Sequence, residues 1–187
     1  MAKQTAAEND MALELLQLDP ADCALEIGSG HGDTLAKAAA ASRGFLSGVD
    51  FSSVMHRHAT RRHRHLVRDG RVEFRLGSSD RLPYADRTFD KAYTVHTVYF
   101  WTAPLEHLSE VHRVLRPGGR FVLGFRPAED ARFHATYPAE VYCIRPEGEV
   151  ADFVRRAGFD VTDTLRHMVG AKCMSFVVAT AGHGRTR

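Results

Sequence analysis

Glu26-Ile27-Gly28-Ser29-Gly30-His31-Gly32-Asp33 sits between a short apolar run, residues 23–27, and an alanine-rich segment, residues 33–41. The apolar run fits a buried strand, and the segment after the glycines reads as a helix with Asp33 or Thr34 as its N-cap. Glycines at such a junction let the backbone turn sharply and approach a ligand with no Cβ in the way. The helix N-terminus behind them offers free N–H groups and a positive dipole end, suited to a carboxylate or a phosphate. Asp50 closes the next apolar stretch, residues 44–49, as expected of an acid that hydrogen-bonds ribose hydroxyls. The glycines run G-x-G-x-G, whereas a nicotinamide or flavin fingerprint needs G-x-G-x-x-G. Asp33 occupies the place of that third glycine, where a carboxylate repels a pyrophosphate but tolerates a ligand with a cationic amine and a sulfonium.

Working outward, the chain alternates between strand and helix patterns. Residues 11–18 read as a short helix stopped by Asp19-Pro20. A helix over 52–67, capped by Ser52, follows Asp50; strands are expected over 71–76 and 88–95. Leu105, Leu108, Val111 and Leu115 share one face of a helix that Pro117-Gly118-Gly119 breaks. A strand over 120–125, an irregular stretch over 127–146 and a helix over 147–157 come next. Two strands, 160–166 and 173–180, flank Gly170 closely enough to pair antiparallel. This order predicts an α/β fold: a mostly parallel seven-stranded sheet, helices on both faces and a C-terminal antiparallel hairpin. Residues 1–187 are expected to form one domain, frayed over 1–10 and 181–187.

Composition narrows the function classes. The 187 residues are 44% apolar and 26% charged, ordinary for a globular protein, and the formal net charge of +2 gives no global case for nucleic acid or an anionic membrane. No segment approaches a membrane span and the first ten residues lack the apolar run of a secretory signal, so a cytoplasmic protein is expected. Cys23, Cys143 and Cys173 are widely separated and odd in number, which argues against a disulfide framework or a zinc site. The basic run from His56 to Arg75 reads as a solvated helix face, its charges scattered around the helix and lacking aromatic neighbours. Its histidines at i, i+2 do not face one another, so no metal is expected.

Four stretches carry a resemblance. Ala24-Leu25-Glu26-Ile27-Gly28-Ser29-Gly30-His31-Gly32 resembles motif I of class I methyltransferases dependent on S-adenosylmethionine (SAM), and Gly48-Val49-Asp50-Phe51-Ser52 resembles their second motif. Gly77-Ser78-Ser79-Asp80-Arg81-Leu82-Pro83-Tyr84, continuing to Phe89-Asp90, is similar to their adenine-side loop and fourth strand. Leu115-Arg116-Pro117-Gly118-Gly119-Arg120-Phe121 is similar to their helix-to-fifth-strand junction. In this order the four make the chain resemble a small bacterial class I enzyme of the type 11 group, on a Rossmann-like domain covering about residues 11–180.

The resemblance implies SAM as cofactor and S-adenosylhomocysteine (SAH) as product. It implies that Gly28, Gly30 and Gly32 line the methionine end, that Glu26 organises the amino group, that Asp50 takes the ribose hydroxyls and that Phe51 lies against the adenine. The family often has Asp directly after the loop glycine; here Ser78 stands there, Ser79 offers a backbone N–H and Asp80 falls where Glu is common. His96 follows the fourth strand, where the family's chain passes the methyl group, and is the candidate general base, with His31 second. Tyr99, Phe100 and Trp101, with Phe133 and Tyr137 in the irregular stretch, are candidates for an acceptor wall. That stretch is short for a substrate cap, which leaves the pocket open or completed by a partner subunit in a homodimer. The expected acceptor is a small molecule, with no nucleic acid or membrane partner. An RNA or protein methyltransferase using the basic helix 56–75, and a non-catalytic SAM-binding domain, are the alternatives.

Overall fold

The computed structural model describes residues 5–134 and 141–182. Helix α1 (Ala6–Leu16) leads into β1 (Ala24–Ile27), α2 (Asp33–Ala41), β2 (Leu46–Asp50), α3 (Ser53–Arg62), α4 (Arg64–Arg68) and β3 (Val72–Leu76). Then come β4 (Phe89–Val95), a 3-10 turn (Val98–Phe100), α5 (Pro104–Val114), β5 (Leu115–Phe125), the short α6 (Ala131–His134), α7 (Glu147–Arg156), β6 (Phe159–Val169) and β7 (Lys172–Ala181).

The seven strands form one sheet in the order β3-β2-β1-β4-β5-β7-β6. The first five positions are parallel, and β7 is antiparallel to both its neighbours. All residues of β1 and β2 are buried, as strands covered on both faces must be, so their sequences read as near-continuous apolar runs. Alternate residues feed opposite cores. Leu25, Ala92, Phe121, Leu123 and Val177 pack with Leu108 and Val111 of α5 and Val150 and Val154 of α7. On the other face, Ala24 and Leu46 pack with Leu35 and Ala59 of α2 and α3, and Tyr93 and Val122 with Ala12 and Leu16 of α1. Strand order reverses between β1 and β4, the switch point where sheets of this kind place a ligand crevice, at the carboxyl ends of the strands.

The sheet, its hairpin and the two helical layers agree with the sequence expectation; several boundaries differ. The N-terminal helix begins at Ala6 and ends at Leu16, so residues expected to fray are helical. The cause is distant: Glu8 is buried and its Oε1 lies 2.6 Å from Lys172 Nζ of β7. The long helix after Asp50 divides at His63. Strand β5 starts at Leu115 rather than 120, because Phe89 pairs with Leu115 and a register shift before Lys91 absorbs the Pro117-Gly118-Gly119 segment. Strands β6 and β7 both extend past their expected ends, and β7 reaches Ala181, which pairs with Phe159. Leu25 has no exposed surface on a strand paired on both sides. Leu25→Ala should therefore lower stability by about 2–5 kcal/mol in urea denaturation without changing the secondary-structure content.

Candidate functional site

The glycine turn is held from behind. Gly28 and Ser29 N–H both donate to the Val49 carbonyl, at 2.8 and 3.1 Å, and Gly32 N–H donates to the Ser29 carbonyl at 2.8 Å. The three glycines do different work. A Cβ at Gly28 would collide with the Thr97 methyl, and one at Gly32 would lie 2.5 Å from the Phe74 ring. A Cβ at Gly30 would meet nothing within 4 Å, so this bend faces open space. With φ of +51°, Gly30 also takes a conformation that other residues adopt with strain.

Asp50 closes the turn from the second strand. Its Oδ2 accepts from Gly30 N–H and its Oδ1 from Ser52 N–H, both at 2.8 Å. Each carboxylate oxygen keeps a second lone-pair direction for a hydroxyl. Phe51, beside it, is 75% exposed, a bare ring at the mouth of the crevice.

Glu26 lies deeper, at the floor between β1 and β4. It accepts from the Leu35 N–H and the Thr34 hydroxyl at the start of α2, with the Tyr93 hydroxyl beside it. Its Oε2 is buried without a hydrogen-bond partner. Burial pushes its pKa from 4.5 up to about 8, against the lowering effect of these donors, so the carboxyl is mostly protonated at neutral pH. An ammonium brought beside this partnerless oxygen would favour the ionised carboxylate and fill the empty place.

In the loop after β3, Gly77 N–H donates to the Asp50 carbonyl at 3.0 Å and brings the loop against the second strand. Ser78 and Asp80 are exposed, and the Ser78 hydrogen bond holds the Asp80 carboxyl below its ordinary range. The Ser79 hydroxyl turns away to His107 Nδ1, 2.8 Å distant. His107 stacks on Trp101 with ring centres 4.9 Å apart. Trp101 is only 2% exposed, so the aromatic expected on the acceptor wall packs in the core instead.

His96 has φ of +63° and follows β4 into the crevice. Its Nδ1 is 3.2 Å from the Tyr99 hydroxyl, which in turn accepts the Arg126 N–H; its Nε2 is 4.0 Å from Glu8 Oε1. Burial lowers its pKa to about 4; Glu8 opposes this, and Lys172 and Arg126 add to it. The imidazole is therefore neutral at pH 7, with Nδ1 facing the Tyr99 hydroxyl and Nε2 beyond hydrogen-bond reach of Glu8. Phe133 is buried, its ring 5.0 Å from Tyr99, and Arg126 lies over its far face at 4.6 Å. Phe100 is half exposed and meets Tyr142 at 5.3 Å. Tyr137 lies outside the described residues.

Two sequence expectations change in this setting. The Asp33 carboxylate pairs with Arg62 at 2.7 Å and lies 3.2 Å from His63 Nε2, so its repulsion toward a pyrophosphate is weaker than that of a bare acid. His31 meets His58 edge to face at 4.9 Å and turns toward α3. Glu8, Tyr93, Thr97 and Arg126 reach the site unannounced. Only Tyr93, a polar ring in an apolar strand, carries a local signal. Among the described residues no three His, Cys, Asp or Glu side chains converge as a metal set, and no helix is long and apolar enough to cross a membrane.

Comparison with known proteins gives a consistent answer. Residues 25–123 match the family described as a methyltransferase domain. An uncharacterized 37.1 kDa protein in transposon TN4556 of Streptomyces fradiae is 40% identical over 115 residues, 60% of this chain and 32% of its own length. The 24-methylenesterol C-methyltransferase 2 of Oryza sativa subsp. japonica is 26% identical over 86% of this chain and 47% of its own length. Thus the chain spans half or less of either relative. The geranyl diphosphate C-methyltransferase of Streptomyces coelicolor A3(2), solved with S-adenosyl-L-homocysteine, superposes with a TM-score of 0.81 at 15% identity, covering 96% of this chain and 80% of that one.

Two measurements check the site as built. Because Glu26 binds its proton more tightly folded than unfolded, its contribution to stability is full below about 4.5 and is lost as the pH rises through about 8. Urea midpoints of the native protein should fall relative to Glu26→Gln across that window and run parallel above it. Trp101→Ala should cost about 3–5 kcal/mol of stability, while a role on the acceptor wall would leave the melting temperature unmoved.

Proposed function

The chain belongs to the class I SAM-dependent methyltransferases, and on that premise we propose that it transfers the methyl group of SAM to a small-molecule acceptor by in-line displacement. The observation that carries this reading is the partnerless Glu26 Oε2 beneath the open bend at Gly30, with Asp50 clamped opposite. SAM bound there supplies a methyl group already activated by the positive sulfur. What the chain must add is alignment and a dry cavity.

Glu26 receives the amino group at the end of β1. Gly28, Gly30 and Gly32 shape the turn, and Gly30 is the point of closest backbone approach. Asp50 accepts from the ribose hydroxyls with the lone pairs that Gly30 and Ser52 leave free. Phe51 offers its exposed ring to the adenine. Ser78, the Ser79 backbone and Asp80 border the same base, with the Ser79 side chain occupied by His107. On the acceptor side, Tyr99 and Phe133 form a packed backing, and the exposed Phe100 with the half-buried Tyr142 form the rim.

For His96 the lowered pKa favours positioning over proton abstraction. A base works best with a pKa near the working pH, and burial holds this imidazole at about 4, with Nδ1 facing Tyr99. Its neutral ring holds the β4 end against the aromatic backing. A sulfonium donor needs only a modest base, or none for an acceptor that arrives ionised. The small-molecule assignment is supported by the sterol enzyme among the relatives and by the apolar character of the rim. Three unbridged cysteines are in keeping with a cytoplasmic setting.

Incubation with methyl-labelled SAM and a panel of metabolite extracts should give a product heavier by one labelled methyl in mass spectrometry. Saturable binding of SAH with no labelled product from any extract would reduce the protein to a binding domain. Asp50→Asn should weaken SAH binding about ten- to a hundredfold in calorimetry, the loss expected from one charge-assisted contact; unchanged affinity would remove Asp50 from the site. Since Glu26 must give up its proton to face an ammonium, SAH affinity should rise as the pH approaches about 8. That slope should vanish in Glu26→Gln.

A further inference from the structure

We propose that the outward face of α3 and α4 is a docking surface for the phosphate backbone of a nucleic acid. Residues 53–68 contain five arginines, four histidines and no acidic residue. The sequence suggests charges scattered around a helix, but the fold sorts them. The path divides at His63, whose φ of −106° and ψ of 28° leave the helical range, and each half carries its own pair. Arg57 and Arg61 share one face of α3, and Arg64 and Arg68 one face of α4, each pair at i, i+4. All four are exposed. None is within ion-pair distance of an acid among the described residues, while Arg62 is the one arginine of the segment that pairs, with Asp33.

A face that merely keeps a helix solvated mixes charge signs, with acids at i, i+4 from bases. Here Arg57 faces Arg61 on α3, and Arg64 faces Arg68 on α4, at that spacing. Both pairs are repulsive. The helix dipole favours cations in a last turn, which accounts for Arg61 and Arg68 but not for Arg57 in the first half of α3. A polyanion relieves both repulsions, and each guanidinium can grip a phosphate through two N–H groups.

The dimensions agree. Each i, i+4 pair spans about 6 Å of helix at 1.5 Å per residue. One strand of a duplex presents a phosphate about every 3.4 Å, so each pair faces about two of them. An anionic bilayer is the weaker fit. Surface helices on membranes pair a basic face with an apolar one, and α3 and α4 together expose a single large apolar side chain, Val54. Contacts of this kind read charge and not sequence. The surface stands apart from the SAM reading, because none of the four arginines belongs to that site.

The test is fluorescence anisotropy with labelled single-stranded and duplex DNA and RNA of about 20 nucleotides, titrated between about 50 and about 200 mM salt. Binding should be insensitive to sequence, and the log affinity should fall with log salt at a slope of about −3, as for about four released counterions. Changing all four arginines to Gln should weaken binding roughly tenfold or more at the lowest salt and bring the slope to about −1 or flatter. SAH affinity and melting temperature should stay as in the native protein, which separates loss of the surface from loss of the fold. The single change Arg61→Glu provides the same reading with three arginines kept, and should flatten the slope by about one unit or more. No polynucleotide binding, salt-independent binding, or equal binding by the four-Gln protein would overturn the proposal. So would capture by phosphatidylserine vesicles without capture of any polynucleotide.

Discussion

The structure depends most on the Asp50 carboxylate bridging two backbone amides, Gly30 N–H on one oxygen and Ser52 N–H on the other. These bonds join the first strand's turn to the end of the second strand, two segments that diverge into separate helices. Without a fixed anion there, the glycine turn, which includes three positive φ angles, has little to hold its shape. The same carboxylate faces the crevice, so the group that sets the turn also presents lone pairs to whatever enters. Support and recognition are one contact.

Two titratable groups at the floor of the crevice are held neutral by burial and by opposite displacements. Glu26 is raised and His96 is lowered, so the interior at neutral pH has fewer charges than the sequence suggests. Low local polarity strengthens any hydrogen bond a ligand makes there. It also suits a reaction in which a cationic sulfur becomes neutral as the methyl leaves, since water would otherwise stabilise the starting charge.

Much of this was legible in the sequence. The glycine spacing, Asp50 at a strand end and the strand-helix alternation follow from local rules, because a buried parallel strand must be apolar and a tight turn must lack side chains. Gly28 and Gly32 read as lining a ligand, and their missing Cβ atoms also make room for Thr97 and Phe74, neighbours that only the fold brings close. Trp101 stands next to a strand end and reads as wall, while its partner His107 on the following helix stacks on it in the core. The bases on α3 and α4 read as scattered over one long helix; the break at His63 divides them into two pairs at i, i+4.

Glu8 illustrates the limit of local reading and has a practical meaning. A polar, acidic stretch at the start of the chain looks expendable, yet its carboxylate is sealed under the sheet's rim, bonded to a lysine 164 positions away. Trimming back to the first obvious apolar stripe would remove that ion pair and the first turn of the helix whose Ala12 and Leu16 cover Tyr93 and Val122. Fusion tags or cleavage sites placed close to Glu8 would also perturb the pocket's back wall, at a distance from any residue that touches a ligand.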